Sequence, residues 1–290
     1  MFELLEFIQG HILYLALLLG TGVLAGFLNT LACGGSLLTL PMLIFLLDLP
    51  GLADALPEAN GAAEDKDVTP YANGTNRVAI LFQNLSAILG FRNKGISNFR
   101  YAIVLAIPAV AGAAIGAVLA TRTGDKVFEP ILAVVLVSML FLTLFNPTEW
   151  LHDKINPGDT HHKIITGIVL FFIGIYGGFI QAGTGLLIIA ALRIIDGDDL
   201  VITNSLKVFI IFAYTIIALG IFISKGQIVW ILGITLAIGN ATGAWIGSHW
   251  AVAKGEKWIK VVLVVTVLAY SINLFLKPFG WDIVSLLGLG

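Results

Sequence analysis

Ten apolar runs, separated by short polar stretches, account for most of this 290-residue chain. They fall at about 11–31, 36–47, 74–91, 99–121, 127–145, 164–182, 185–195, 200–223, 227–252 and 258–276. A helix needs about 20 apolar residues to cross a bilayer. Eight of the runs are long enough; 36–47 and 185–195 reach only about half way across, at 1.5 Å per residue. The composition agrees. Charged residues make up 12% of the chain and apolar ones 58%, whereas a soluble domain is about 25% charged. So little charge cannot coat a soluble surface of this size, which excludes a soluble enzyme, a disordered chain and a nucleic-acid binder. A net charge of −2 gives no pull on a polyanion. The single cysteine, Cys33, excludes an internal disulfide and a cysteine metal cluster. Glu3 and Glu6 precede the first run with no basic residue, so no cleaved signal peptide is expected.

The chain repeats itself. Lys94–Pro147 aligns without a gap onto Lys225–Pro278, with 16 of 54 positions identical. Gly112-Ala-Ala-Ile-Gly116 matches Gly243-Ala-Trp-Ile-Gly247, and Lys94-Gly95 matches Lys225-Gly226. Further upstream, Gly26-Phe-Leu-Asn29 resembles Gly178-Phe-Ile-Gln181, and Thr75-Asn76 is set against Thr203-Asn204. The first repeat is placed at 11–147, with a polar, mostly acidic insertion at 48–73. A linker follows at 148–163, and the second repeat covers 164–278.

Charge orients the two halves. In the first, Arg92, Lys94 and Arg100 mark one turn; in the second, Lys254, Lys257 and Lys260 mark the following one. If basic turns face the cytoplasm, the repeats are inverted. The linker at 148–163 is then cytoplasmic, and the 48–73 insertion and both chain ends lie outside. The expected fold is an all-α polytopic membrane protein, one transmembrane domain over 1–290. It has two inverted-topology repeats of about five helical segments each.

Each half carries a glycine-rich break before its short run: Cys33, Gly34, Gly35 and Ser36 in the first, and Gln181, Gly183, Thr184 and Gly185 in the second. A half-length helix starting inside a bilayer presents unpaired N–H groups and its positive dipole end. Glycine lets a ligand come close to them. Paired interruptions of this kind point to a transporter site near the midplane, suited to an anion; close packing through small residues is the competing explanation. Arg77 and Lys207 are cations inside apolar runs, where a charge costs about 2.5–3.5 kcal/mol near a helix centre. Each follows a Thr-Asn pair, Thr75-Asn76 or Thr203-Asn204, so all six join the candidate binding residues. In an inverted pair the two cations would approach one cavity. Gln83, Asn84 and Asn240 read as interhelical hydrogen-bonding residues, and Gly112/Gly116 and Gly243/Gly247 as packing faces. No catalytic set, metal site, cofactor or nucleotide loop is expected.

At these breaks the chain resembles the sulfite exporter TauE/SafE family of membrane transporters. The resemblance rests on Gly22-Val-Leu-Ala-Gly26 leading to Cys33-Gly34-Gly35-Ser36 and Pro41, on Asn73-Gly-Thr-Asn-Arg77, and on Gly174-Ile-Tyr-Gly-Gly178 leading to Gly183-Thr184-Gly185. It covers roughly 11–278. It implies secondary transport of small sulfur-containing anions, such as sulfite or organosulfonates, across a bacterial inner membrane. The implied binding residues are Gly34, Gly35, Ser36, Thr75, Asn76, Gly183, Thr184, Gly185, Thr203 and Asn204. The chain departs from the pattern at Ala190, where the second break lacks a counterpart of Pro41, and in its longer 48–73 insertion. The expected partners are a small anion and the lipid bilayer. A passive anion channel, or an embedded subunit that binds a sulfur carrier or a partner protein, remains open. So do the identity of the anion, the coupling ion and homo-oligomerisation.

Overall fold

A computed structural model describes residues 12–32, 36–47, 67–96, 99–145, 160–196 and 200–254. The described residues form nine helices and no strand. They are α1 (Ile12–Ala32), α2 (Ser36–Leu47), α3 (Thr69–Asn93), α4 (Phe99–Ala120) and α5 (Asp125–Phe145). Then come α6 (Thr160–Phe179), α7 (Thr184–Asp196), α8 (Leu200–Ser224) and α9 (Trp230–Lys254). The short α2 and α7 fall where the short apolar runs do. The tenth run, residues 148–159 of the linker, and Cys33, Gly34 and Gly35 lie outside the described residues.

One boundary differs from expectation. The insertion placed at 48–73 ends by Val68, because α3 already begins at Thr69. Thr69-Pro70-Tyr71 looks like loop in sequence, yet proline suits the first helical turn, where its missing N–H is not needed. The free N–H groups of Val68 and Thr69 donate to the Asp125 carboxylate at 2.9 and 2.8 Å, and the Thr69 hydroxyl donates to it as well. Asp67 in turn accepts from the Asp125 N–H at 2.9 Å. Two helix N-termini, those of α3 and α5, thus cap each other.

Glycine faces set the main seams. A Cβ at Gly112 or Gly116 of α4 would collide with the Phe171 or Ile175 carbonyl of α6. One at Gly174 or Gly178 of α6 would meet Ala109 or Ala113 of α4. The α1–α9 seam repeats this: Gly22 and Gly26 press on Leu236 and Asn240, while Gly243 and Gly247 press on Val23 and Phe27. Backbones this close gain dispersion and packing that apolar lipid cannot supply otherwise. In both seams the contacts advance together along the two chains, so α4 runs parallel to α6 and α1 parallel to α9. Helix α3 is parallel to α9 too, through Thr75–Gly233, Gln83–Asn240 and Gly90–Ser248.

Helices α3 and α8 run antiparallel. The start of α3 meets the end of α8: Gly74 lies against Phe222, and Arg77 lies 5.3 Å from the Phe222 ring centre. At the other end, Val208 joins Ala87 and Phe91 in one cluster. The α3–α4 and α8–α9 turns have the same cap. Ile96 N–H reaches Phe91 O at 3.1 Å and Gln227 N–H reaches Phe222 O at 3.1 Å, with Gly95 and Gly226 at φ 81° and 68°. These glycines are 131 residues apart, the offset of the ungapped alignment.

The half-length helices fold back. Leu40, Leu43, Leu46 and Leu47 of α2 pack among Val68, Tyr71 and Ala72 at the start of α3. Ile188 and Leu192 of α7 pack with Leu206 of α8 and with Ala102 and Leu105 of α4. Large apolar side chains cover the outer faces, among them Ile12, Val104, Ile107, Phe172 and Ile238. Among the described residues, four helices carry stretches long and apolar enough to cross a membrane: Ile12–Leu31, Arg100–Ala120, Val201–Ser224 and Trp230–Ala251. An apolar exterior around buried polar groups inverts the pattern of a soluble protein.

Candidate functional site

The second break is closed by its own side chains. After α6 ends at Phe179, Gln181 and Gly183 both take φ 71°, and α7 starts at Thr184. Left-handed backbone is ordinary for glycine and uncommon for glutamine. Here the Gln181 carbonyl is held by the Thr184 hydroxyl at 2.7 Å, and the Ala182 carbonyl by the Tyr176 hydroxyl. The Gln181 amide donates to the Tyr214 hydroxyl at 3.1 Å. Irregular backbone within a bilayer has to be satisfied internally in this way.

Arg77 is fully buried and lies at the end of α6. Its guanidinium donates to Gly177 O at 2.9 Å, to Gly178 O at 2.6 Å and to Gln181 Oε1 at 2.7 Å. It also donates to Asn73 Oδ1 at 3.3 Å, and Asn73 donates to Phe179 O at 2.7 Å. These are the carbonyls that a helix leaves bare at its C-terminus, at the negative end of its dipole.

Lys207 repeats the device on the other half. It is 1% exposed, and its ammonium donates to Asn29 O at 2.9 Å, to Thr30 O at 3.3 Å and to Asn204 Oδ1 at 2.8 Å. Asn204 donates to Leu31 O at 3.3 Å. Each buried cation therefore caps the first helix of the opposite half, with a helper asparagine on its own helix. Asn73 and Asn204 lie 131 residues apart, so Asn73 is the structural mate of Asn204, and Asn76 falls opposite Lys207. The sequence pairing of Thr75-Asn76 with Thr203-Asn204 is off by three residues at this point. The 131-residue offset, carried upstream, would have found Asn73. Tyr176 and Tyr214 gave no signal beyond a hydroxyl in an apolar run.

The cations do not converge on one cavity. Thr30, beside Lys207, packs on Gly247 of α9, next to the Ser248 that touches Gly90 of α3. Arg77 precedes Gly90 by thirteen residues, about 20 Å of helix. One cation serves each end of the bundle, each at its own break.

The remaining candidates divide by whether their polar atoms are already used. Thr75 Oγ1 accepts from Val229 N–H at 2.9 Å and holds the α8–α9 turn. Asn76 is 1% exposed and neither amide atom has a hydrogen-bond partner; the same is true of the buried Thr203 hydroxyl. Gly183, Thr184 and Gly185 sit buried at the start of α7. Ser36 begins α2. Gln83 and Asn240 are bonded between helices as expected, at 3.2 Å, but Asn84 donates within its own helix to Ile80 O at 2.8 Å. No group of three or more His, Cys, Asp or Glu suited to a metal occurs among the described residues.

Apolar outer faces, helices interrupted within the apolar layer and buried cations sealing the interruptions define a polytopic helical membrane protein. The chain belongs to the sulfite exporter TauE/SafE family, which it matches over residues 18–274. It is similar to a probable membrane transporter protein, ORF9, of Sinorhizobium sp, at 28% identity over 270 residues, covering 91% of this chain and 93% of the other. It is 26% identical over 251 residues to a probable membrane transporter protein of Haemophilus influenzae, covering 87% and 90% of the two chains. It is also 26% identical over 283 residues to the probable membrane transporter protein YfcA of Escherichia coli K12, covering 96% and 95%. No solved structure matches. The protein is a membrane transporter, a member of a transporter family.

Proposed function

We propose that the chain is a secondary transporter that exports small sulfur-containing anions, such as sulfite or organosulfonates, across a bacterial inner membrane by alternating access. The family description supports the substrate class. The antiparallel run of α3 against α8 and the crosswise capping support two inverted repeats. In this reading both chain ends face outward and the linker faces the cytoplasm.

The observation that carries the site is Asn76. A buried amide with both atoms unpartnered is costly, by about 1–3 kcal/mol, and such groups call for an explanation. Asn76 lies next to the cation that seals the second break; Thr203, equally unpartnered, lies beside Asn204 and Lys207 at the first. The anion meets Asn76 and the start of α7 at Gly183, Thr184 and Gly185 in one state. In the other it meets Thr203 and the first glycine-rich break, Gly34, Gly35 and Ser36. Arg77 and Lys207 add positive potential while their hydrogen bonds keep the helix ends closed.

Counterflow in proteoliposomes tests this. Preloaded sulfite should accelerate uptake of labelled sulfite through the wild-type protein. Asn76→Leu should fold normally, because it removes only unpaired groups, and should raise the sulfite KM at least tenfold. Leak without counterflow would make the protein a channel. Sulfite that neither binds nor moves would leave an embedded subunit that serves a partner protein.

A further inference from the structure

The antiparallel α3–α8 pair has a centre. Arg77 pairs with Phe222 at one end, and Ala87 and Phe91 share a cluster with Val208 at the other. Stepping inward from both ends sets Asn84 opposite Thr215. These two residues are also 131 apart, so they are mates under the repeat. A residue that faces its own mate lies on the axis relating the two halves. Residue 84 is also about midway between the two capped breaks.

Both residues are fully enclosed, Asn84 at 1% and Thr215 at 0% exposure. Asn84 Oδ1 and Thr215 Oγ1 have no hydrogen-bond partner, so no bond joins them. The orientation of the Asn84 amide is fixed, because its Nδ2 donates to the Ile80 carbonyl, which can only accept. The Asn84 carbonyl oxygen therefore turns its lone pairs away from Ile80, and the Thr215 hydroxyl can rotate to offer its own. Asn240 lies at the same depth through its bond to Gln83, and its Oδ1 is a third unpartnered acceptor. Two amide oxygens and a hydroxyl at one depth, with both asparagine NH2 groups already donating elsewhere, suit a cation better than an oxyanion. A divalent ion prefers carboxylates, and the acids among the described residues, Asp67, Asp125, Glu129 and Asp196, all lie near helix ends.

We infer that Asn84 Oδ1 and Thr215 Oγ1 are ligands of a sodium ion held on the pseudo-two-fold axis between α3 and α8. The ion's role as coupling ion rests on the transporter reading; its binding does not. An ion on this axis meets both halves equally and senses any change in how they pack, as coupling requires.

Sodium chloride alone is the probe. Thermal unfolding of the purified full-length chain in detergent is followed in sodium, potassium or choline chloride at equal ionic strength. Sodium should raise the melting temperature saturably over choline, as a ligand of the folded state does. Thr215→Val and Asn84→Leu should each abolish that rise while melting at or above the wild type in choline. If sodium and choline give the same melting temperature for the wild type, or if the rise survives in both variants, the site is refuted. Sulfite counterflow, measured separately, keeps the two readings apart. A sodium shift without counterflow would retain the ion site and discard the sulfite reading. Counterflow without the shift would do the reverse.

Discussion

At the residue scale, Arg77 and Lys207 show how a bilayer protein uses a charge it cannot expose. Each donates to carbonyls that a broken helix would leave bare. Removing the donor strands those carbonyls in a medium without water, at about 1–3 kcal/mol for each unsatisfied group. Lys207→Ala is therefore expected to lower unfolding stability by about 3 kcal/mol in denaturant titrations of the detergent-solubilised protein. A Lys207→Ala variant as stable as the wild type would contradict the capping role. Tyr214→Phe removes one bond to Gln181 and should cost about 1 kcal/mol by the same titration. The presence of these cations in apolar runs was visible in the sequence, but their partners were not. Spacing along one chain does not say which distant helix ends beside which side chain.

At the element scale, the glycines divide into two kinds that the sequence does not separate. Gly243 is held against the Val23 carbonyl, while Gly95 has open space around it and a φ of 81°. Gly243→Leu must push α9 off α1 and should abolish recovery of folded protein in gel filtration. Gly95→Ala meets nothing, so its cost is backbone conformation alone, about 1–2 kcal/mol, read as a small drop in melting temperature. The packing faces were legible because glycine at every fourth position has few other uses in a lipid-crossing helix. The half-length helices were legible too, since hydropathy ends where a helix ends. The start of α3 was not: Thr69, Pro70 and Tyr71 are polar or helix-breaking by composition. They become helical only because Asp125, 56 residues on from Thr69, caps them.

At the scale of the whole molecule, opposite ends of the bundle carry equivalent turns. Single cysteines at Lys94 and Lys225, introduced in a Cys33→Ser background, should label from opposite sides of the membrane. Lys94 should be reached from the cytoplasm and Lys225 from outside. Labelling of both from one face would remove the inverted arrangement. The sequence suggests the repeat because lysine, glycine and proline fall into register at one offset. It does not show the separation of the two cations, because that depends on the direction in which α3 passes α8.

The seams also cross the sequence halves. Helix α1 lies on α9 and α4 on α6, and each buried cation closes a helix that belongs to the other half. Cutting the chain in the stretch between α5 and α6 would leave two fragments, each with bare glycine faces, open helix ends and an uncompensated cation. Neither fragment should be recovered alone, and the two produced together should reassemble into a working protein.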